Sequence, residues 1–388
     1  MTDSTVAYTA LDDSEEAGRF LGAKIREEFG GHSPDALIVF ASSRHDYARL
    51  LDAIKAACSP KVMIGCSSAG EFTCDAQGDS SASVVALRSN EMRFVAGLGR
   101  NLRADRERAA RDIVSAFEGP GNHRYLFRSA LVLTDALAGY ADDLIESLNL
   151  LTAGAYMLFG GGAGDDAQFT RTHVFYGTEA VPDAAVALEI LSNKPLGIGV
   201  SHGWVPASAP MRVTEAEGMR LVSLNAVPAV EVFEEHAAAT GQSFNLEDPV
   251  PFFLHNIIGI DTGDGYKLRV PLAVNEDGSV TCAADIPSGA TAHIMSATGV
   301  SSAEAAESAT LAALSQLNGH RPKVALFFDC VATRLRMGQE FGLEMKSLKK
   351  VLGTTKYAGC NTYGQIARAE RQFSGFHNCT AVVCVIPE

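Results

Sequence analysis

The chain has 388 residues, 47% hydrophobic and 20% charged, with a formal net charge of −14. That balance suits one large or two ordinary globular domains and excludes disorder, collagen and coiled coil as whole-chain states. It also lacks the basic face that general affinity for nucleic acid or anionic lipid requires, and no run reaches the ~18 apolar residues of a membrane span.

Met1 to Glu16 is polar and acidic, with no basic-then-apolar leader, so the expected location is cytoplasmic. Residues 1–30 read as an N-terminal extension. Ala36 to Ala41 then forms a short apolar run suited to a buried strand, and Tyr47, Leu50, Leu51, Ile54 and Ala57 follow at helical spacing. A second apolar run, Val62 to Ile64, feeds a small-residue turn, Gly65, Cys66, Ser67, Ser68, Ala69, Gly70 and Glu71. Ser83 to Leu87 and Met92 to Leu98 read as two closing strands.

The same order returns about ninety residues later. Ala130 to Thr134 is the strand, Ala141 to Leu151 the helix, and Tyr156 to Phe159 leads into Gly160, Gly161, Gly162, Ala163, Gly164 and Asp165. Ala184 to Leu191 and Leu196 to His202 read as its closing strands. A proline-bearing connection, short strands and the helix Ser301 to Leu317 intervene. A third copy follows: Lys323 to Phe328, Met337 to Leu352, then Tyr357 into Gly359, Cys360, Asn361, Tyr363, Gly364 and Gln365. Asn378 to Ile386 closes it.

These copies imply an α/β fold with mixed sheets built from repeated strand–helix–strand–hairpin units. Strand–helix–strand steps give parallel pairs, and the runs after them give antiparallel neighbours. Glycine allows the tight reversal and small neighbours leave backbone amides accessible. Gly70, Gly164 and Gly364 are therefore expected on one common side, lining a pocket for a small amphiphilic molecule. Its expected lining is Gly65, Cys66, Ser67, Ser68, Gly70, Glu71, Gly162, Gly164, Asp165, Asn361, Tyr363 and Gly364. The basic residues Arg334, Arg336, Lys346, Lys349 and Lys350 read as the solvated face of a helix.

The arrangement resembles the FIST family, the two-part sensory domain of signal-transduction proteins. The residues that carry the resemblance are Ile64 to Glu71, Gly161 to Asp166, Ser201-His202-Gly203-Trp204 with Val213-Thr214, Phe328-Asp329-Cys330, Gly359 with Tyr363-Gly364, and Phe376 to Thr380. Gln365 stands where the family usually carries Glu, and Cys379 where Gln is usual. The resemblance implies a FIST N-terminal domain over 31–225, a FIST C-terminal domain over 226–388, and a ligand sensor rather than an enzyme. Stand-alone family members of this length include haem-binding nitric-oxide sensors that regulate a separate histidine kinase in a two-component system. A haem would need an axial imidazole, for which His255, His202 and His377 are the candidates, in that order.

Three other readings stay open. One is a sensor of an amino acid or other metabolite without haem. A second is a zinc or redox site built from Cys330, Cys360, Cys379 and Cys384, although the eight cysteines include no C-x-x-C pair. The third is a Cys-dependent enzyme using Cys66 or Cys360. Homo-oligomerisation is left open too.

Overall fold

The computed structural model describes residues 1–122, 124–368 and 375–388, with the side chain of Pro120 excepted. Three six-stranded sheets repeat one plan. At the centre of each lies a parallel pair: Ala36–Ser42 with Val62–Ser68, Phe127–Thr134 with Met157–Gly162, and Pro322–Cys330 with Lys356–Thr362. A returning strand joins each pair antiparallel: Ala82–Ser89, Ala184–Ser192 and Ala381–Pro387. Outside it runs the strand that opens each unit: Thr2–Thr9, Met92–Arg100 and Gly197–Ser201.

The hairpins after the Gly turns do not stay with their own units. Glu71–Thr73 pairs with Lys356–Thr362 of the third unit, and Val174–Tyr176 with Val62–Ser68 of the first. Gln365–Arg368 pairs with Met157–Gly162 of the second. Each unit therefore completes another's sheet, in a closed ring of three.

Strand faces explain the packing. Ile38, Phe40, Ile64, Leu131, Leu133, Phe159, Leu326, Phe328 and Ala358 form one buried core drawn from all three sheets. Alternate residues such as Leu37, Val39 and Ala41 point outward under the helices Ser14–Glu28 and Tyr47–Cys58. With both faces covered, Ala36–Ser42 is buried throughout, which is why it reads as an unbroken apolar run.

Three sequence expectations change. Residues 1–30 are no extension: Thr2–Thr9 edges the first sheet, and Ser14–Glu28 packs on its helical neighbour. Met92–Arg100 does not close the first unit; it opens the second, and Gly197–Ser201 likewise opens the third. Apolar runs joined by a short turn look like hairpins, but here the short links cross between sheets.

The third unit carries a long insertion between Gly197–Ser201 and the helix Gly299–Ser315. It folds into a nine-stranded antiparallel sheet around Phe233, Phe252, Phe253, Leu221 and Ile258. Ala226 lies in this insertion, between the paired strands Arg220–Leu224 and Val227–Pro228. Among the described residues, no helix is long and apolar enough to cross a membrane.

Candidate functional site

The parallel strands deliver their turns to one place. Gly164 N–H donates to Ser67 O at 2.9 Å and Asp166 N–H to Ser68 O at 3.1 Å. Ala69 N–H donates to Asn361 O at 2.9 Å, and Asn361 N–H returns a bond to Gly70 O at 2.8 Å. Gly162 N–H donates to Gly364 O at 2.8 Å and Tyr363 N–H to Gly162 O at 2.9 Å. All three turns are thus laced in a ring.

This lacing uses the amides that the sequence reading offered to a ligand. Side chains behave alike. Ser68 donates to Glu71, whose other oxygen accepts from the Ser81 hydroxyl and, at 3.3 Å, the Ser81 amide. Ser67 Oγ exchanges bonds with the backbone of His173. Asp165 accepts from the amides of Phe169, Thr170 and Arg171 and from the Tyr363 hydroxyl. Burial pushes the Glu71 carboxyl up to about 7, against the Ser68 and Ser81 bonds. Burial acts the same way on Asp165, but the Tyr363 hydroxyl and the three amides outweigh it and hold its pKa below the usual carboxylate range.

Two cavities flank the ring. A cleft of about 540 Å³ lies over it, lined by Arg44, Ala69, Asp79 and Ser80 of the first unit, Asp166 and Ala167 of the second, and Val331, Arg334, Leu335, Gly338 and Gln339 of the third. Arg334 is the hub. Its Nη1 donates to Ala69 O at 2.5 Å, and its Nη2 pairs with Asp79. Gly70 (φ +132°) makes room for it, because a Cβ there would fall 1.6 Å from Arg334 Nη1. Asp166 accepts from the Ser42 hydroxyl and the Ser43 amide, both at 2.8 Å.

On the other side is an apolar chamber of about 70 Å³, whose lining includes Leu137, Phe169, Val270, Cys330, Tyr363, Gly364 and Asn378. Val331 borders both cavities. The loop between them holds Asp166, Ala167 and Phe169 in left-handed backbone, with Phe169 stacked on Tyr363 at 4.4 Å.

Of the expected lining, Tyr363 and Gly364 face the chamber. Ser67, Ser68, Gly70, Gly162, Gly164 and Asn361 build the ring, with Glu71 and Asp165 bonded beside it. Gly65 and Cys66 lie lower in their strand, Cys66 in the central core. Arg334 and Arg336 correct the solvated-face reading. Arg334 is only 22% exposed, and Arg336 lies over the Trp204 ring. A short helix, Val331–Met337, starts where its strand ends, so Arg334 turns back onto the strand tips. Sequence spacing alone could have suggested this, had the strand been read as ending at Cys330.

The histidines do not fit haem. His255 is on the surface; its apolar neighbours Phe252 and Phe253 turn inward and it does not. His202 has both ring nitrogens engaged, Nε2 with Tyr266 O at 3.1 Å and Nδ1 with the Trp204 amide at 3.3 Å. His377 is buried in the seam between the second unit and the insertion, where burial and then Lys267 and Arg269 lower its pKa to about 3. Neither cavity is lined by any of the three.

The four-thiol site is not formed either. Cys66, Cys360 and Cys384 share the central core, whereas Cys330 and Cys379 belong to a separate cluster beside the insertion. Among the described residues, no group of three or more His, Cys, Asp or Glu is placed to hold a metal. Cys66 and Cys360 are wholly buried and burial raises the Cys360 thiol well above its ordinary value, which argues against the nucleophile reading.

Residues 35–227 match the FIST N domain and residues 229–368 the FIST C domain. The chain belongs to the FIST family. FIST domains are sensory domains for small ligands, and the two matches meet in the turn beside Ala226. A comparison with curated protein sequences finds no match. Among solved structures, a cyanuric acid hydrolase from A. caulinodans aligns over 100% of both chains at 7% identity, with a TM-score of 0.36. A chorismatase aligns over 99% of this chain and 98% of its own at 10% identity, with a TM-score of 0.35. Neither likeness bears on what this FIST chain does.

Proposed function

We propose that this FIST chain senses a small anionic or zwitterionic metabolite bound in the cleft over the laced turns. The observation that supports it is the lining: all three units meet there, small residues leave room, and Arg334 and Arg44 supply cationic donors. A ligand carboxylate or phosphate competes with Asp79 for Arg334. Asp79 is 70% exposed, so its pairing is worth little and yields readily. Asp79 follows the hairpin that the first unit lends to the third sheet, so its release loosens one link of the ring. The signal then passes to a separate signalling protein, of which a histidine kinase is one candidate. A haem-based input is not carried into this reading, because the three histidines do not fit it.

Calorimetry of the purified chain against the common amino acids and short carboxylates tests the proposal. At least one should bind. Gly70→Val, which drives Arg334 from its seat, and Arg334→Gln should each abolish that binding while circular dichroism stays unchanged. Undiminished binding in both variants would move the site elsewhere.

A further inference from the structure

Two groups on the chamber side of the ring take no part in the lacing. Strand Pro322–Cys330 ends at Cys330, and Cys379 lies in the bend between Gly375–His377 and Ala381–Pro387. Cys379 has φ +49°, the left-handed conformation that side-chain-bearing residues rarely hold. Cys330 and Cys379 pack in one buried cluster, and the thiol and backbone amide of Cys379, the Ala332 amide and the Gln365 side chain act as donors toward the Cys330 sulfur. Such a set of donors stabilises a negative sulfur. The Cys379 thiol, first among them, outweighs burial and holds the Cys330 pKa at about 6, while burial keeps Cys379 well above the ordinary thiol value. The two thiols therefore differ in acidity, Cys330 being the more readily ionised.

The surroundings point to a reactant. Cys330 is 2% exposed and lines the chamber. Asn378, also 2% exposed, lines it as well, and its buried Oδ1 has no hydrogen-bond partner among the described residues. An unpartnered acceptor in the same chamber as a readily ionised thiol suits a small molecule with an O–H donor and an electrophilic oxygen. About 70 Å³ gives room for a molecule of a few heavy atoms such as hydrogen peroxide.

We propose that Cys330 is a peroxide-reactive thiolate with Cys379 as its resolving thiol, and that the chamber admits hydrogen peroxide to the pair. Asn378 Oδ1 accepts a bond from the entering hydroxyl. Cys330 Sγ attacks one peroxide oxygen and the O–O bond breaks. Hydroxide leaves and gains a solvent proton to become water. Cys330, oxidised by two electrons, is now a sulfenic acid. The Cys379 sulfur then attacks Cys330 Sγ, an S–S bond forms, and the hydroxyl departs with the Cys379 proton as a second water. Hydrogen peroxide is the oxidant and is reduced to two waters. This chemistry does not depend on the metabolite cleft.

The full chain, reduced and then treated with equimolar hydrogen peroxide, should lose both thiols to alkylation, and peptide mapping should join Cys330 to Cys379. Cys379→Ser should stop at the sulfenic acid and take up dimedone at Cys330; Cys330→Ser should do neither. Cumene hydroperoxide, whose ring must crowd the small chamber, should react roughly tenfold more slowly or worse. A wild-type chain that keeps all its thiols, or a disulfide elsewhere such as Cys66 to Cys360, would overturn the assignment. Equal rates for the two peroxides would overturn the chamber's role.

Discussion

Glu71 shows how a residue that looks like a ligand contact is occupied by the fold. It is 1% exposed, its carboxyl bonds Ser68 and Ser81 among the described residues, and burial raises its pKa from 4.5 to about 7. The folded state therefore keeps a proton that the unfolded chain releases at lower pH. Its contribution is fully present below pH 4.5 and is lost as pH rises through about 7. At 1.36 kcal/mol per unit the loss is on the order of 3 kcal/mol. In Glu71→Gln the amide stays neutral, its oxygen accepting from Ser81 and its NH₂ donating to Ser68. Urea melts at about pH 5 and about pH 8 should show wild type losing several kcal/mol more than the variant across that interval. Equal slopes would mean that Glu71 is already ionised in the fold.

Among the elements, the opening strands of the second and third units share a device that the sequence reading passed over. Gly97 and Gly99 lie under Ile113 and Ala109, with added Cβ atoms only 2.4 and 2.3 Å from those carbonyl oxygens; Gly197 and Gly199 repeat the contact with Ala313 and Ala309, each at 1.8 Å. Helices Arg106–Ser115 and Gly299–Ser315 can approach these strands only because no side chain stands between. Gly199→Ala should therefore cost at least about 2 kcal/mol, since the atoms in the way are helix backbone. Gly342, with nothing within 4 Å of its Cβ, should accept alanine at no cost or gain up to about 1 kcal/mol. Chemical denaturation of the two variants checks both signs; equal effects would show that helix and strand can simply move apart. What the sequence made legible follows the same logic. The parallel pairs were readable because Ala36 to Ala41 and Ala130 to Thr134 are apolar without a break, and the turns because Gly falls at a fixed distance after them. The strand exchange was not, because a two- or three-residue hairpin such as Glu71–Thr73 has no pattern that names its partner. Cys330 and Cys379 look in the sequence like part of a larger thiol set because nothing local shows that Cys360 turns to the central core instead.

Across the whole molecule, the insertion is fastened to the second unit by buried charge. Arg269, 2% exposed, and Lys267 both bond Asp142, at 2.8 and 2.7 Å, and Asp142 also accepts from the Phe376 amide at 2.9 Å. Arg269 donates in turn to Phe376 O at 3.2 Å, so the insertion, the second unit and the third unit's lent hairpin meet at one carboxylate. Burial works to raise the Asp142 pKa, but Lys267 and Arg269 outweigh it and hold it below the usual carboxylate range. The sign is opposite to that of Glu71: this stability is present at neutral pH, above the unfolded pKa, and is lost as pH falls through the folded value. Asp142→Asn keeps the shape and removes the charge, leaving Arg269 buried without its counter-ion. Breaking one side of such a pair costs about 3–5 kcal/mol. Hydrogen exchange should localise that loss to Tyr266–Arg269 and Gly375–His377, while Ala36–Ser42 and Val62–Ser68 stay protected. The same strands should loosen in wild type on acidification. A variant whose exchange pattern and acid sensitivity match wild type would show that apolar contacts around Trp204 and Met295, and not this carboxylate, hold the insertion in place.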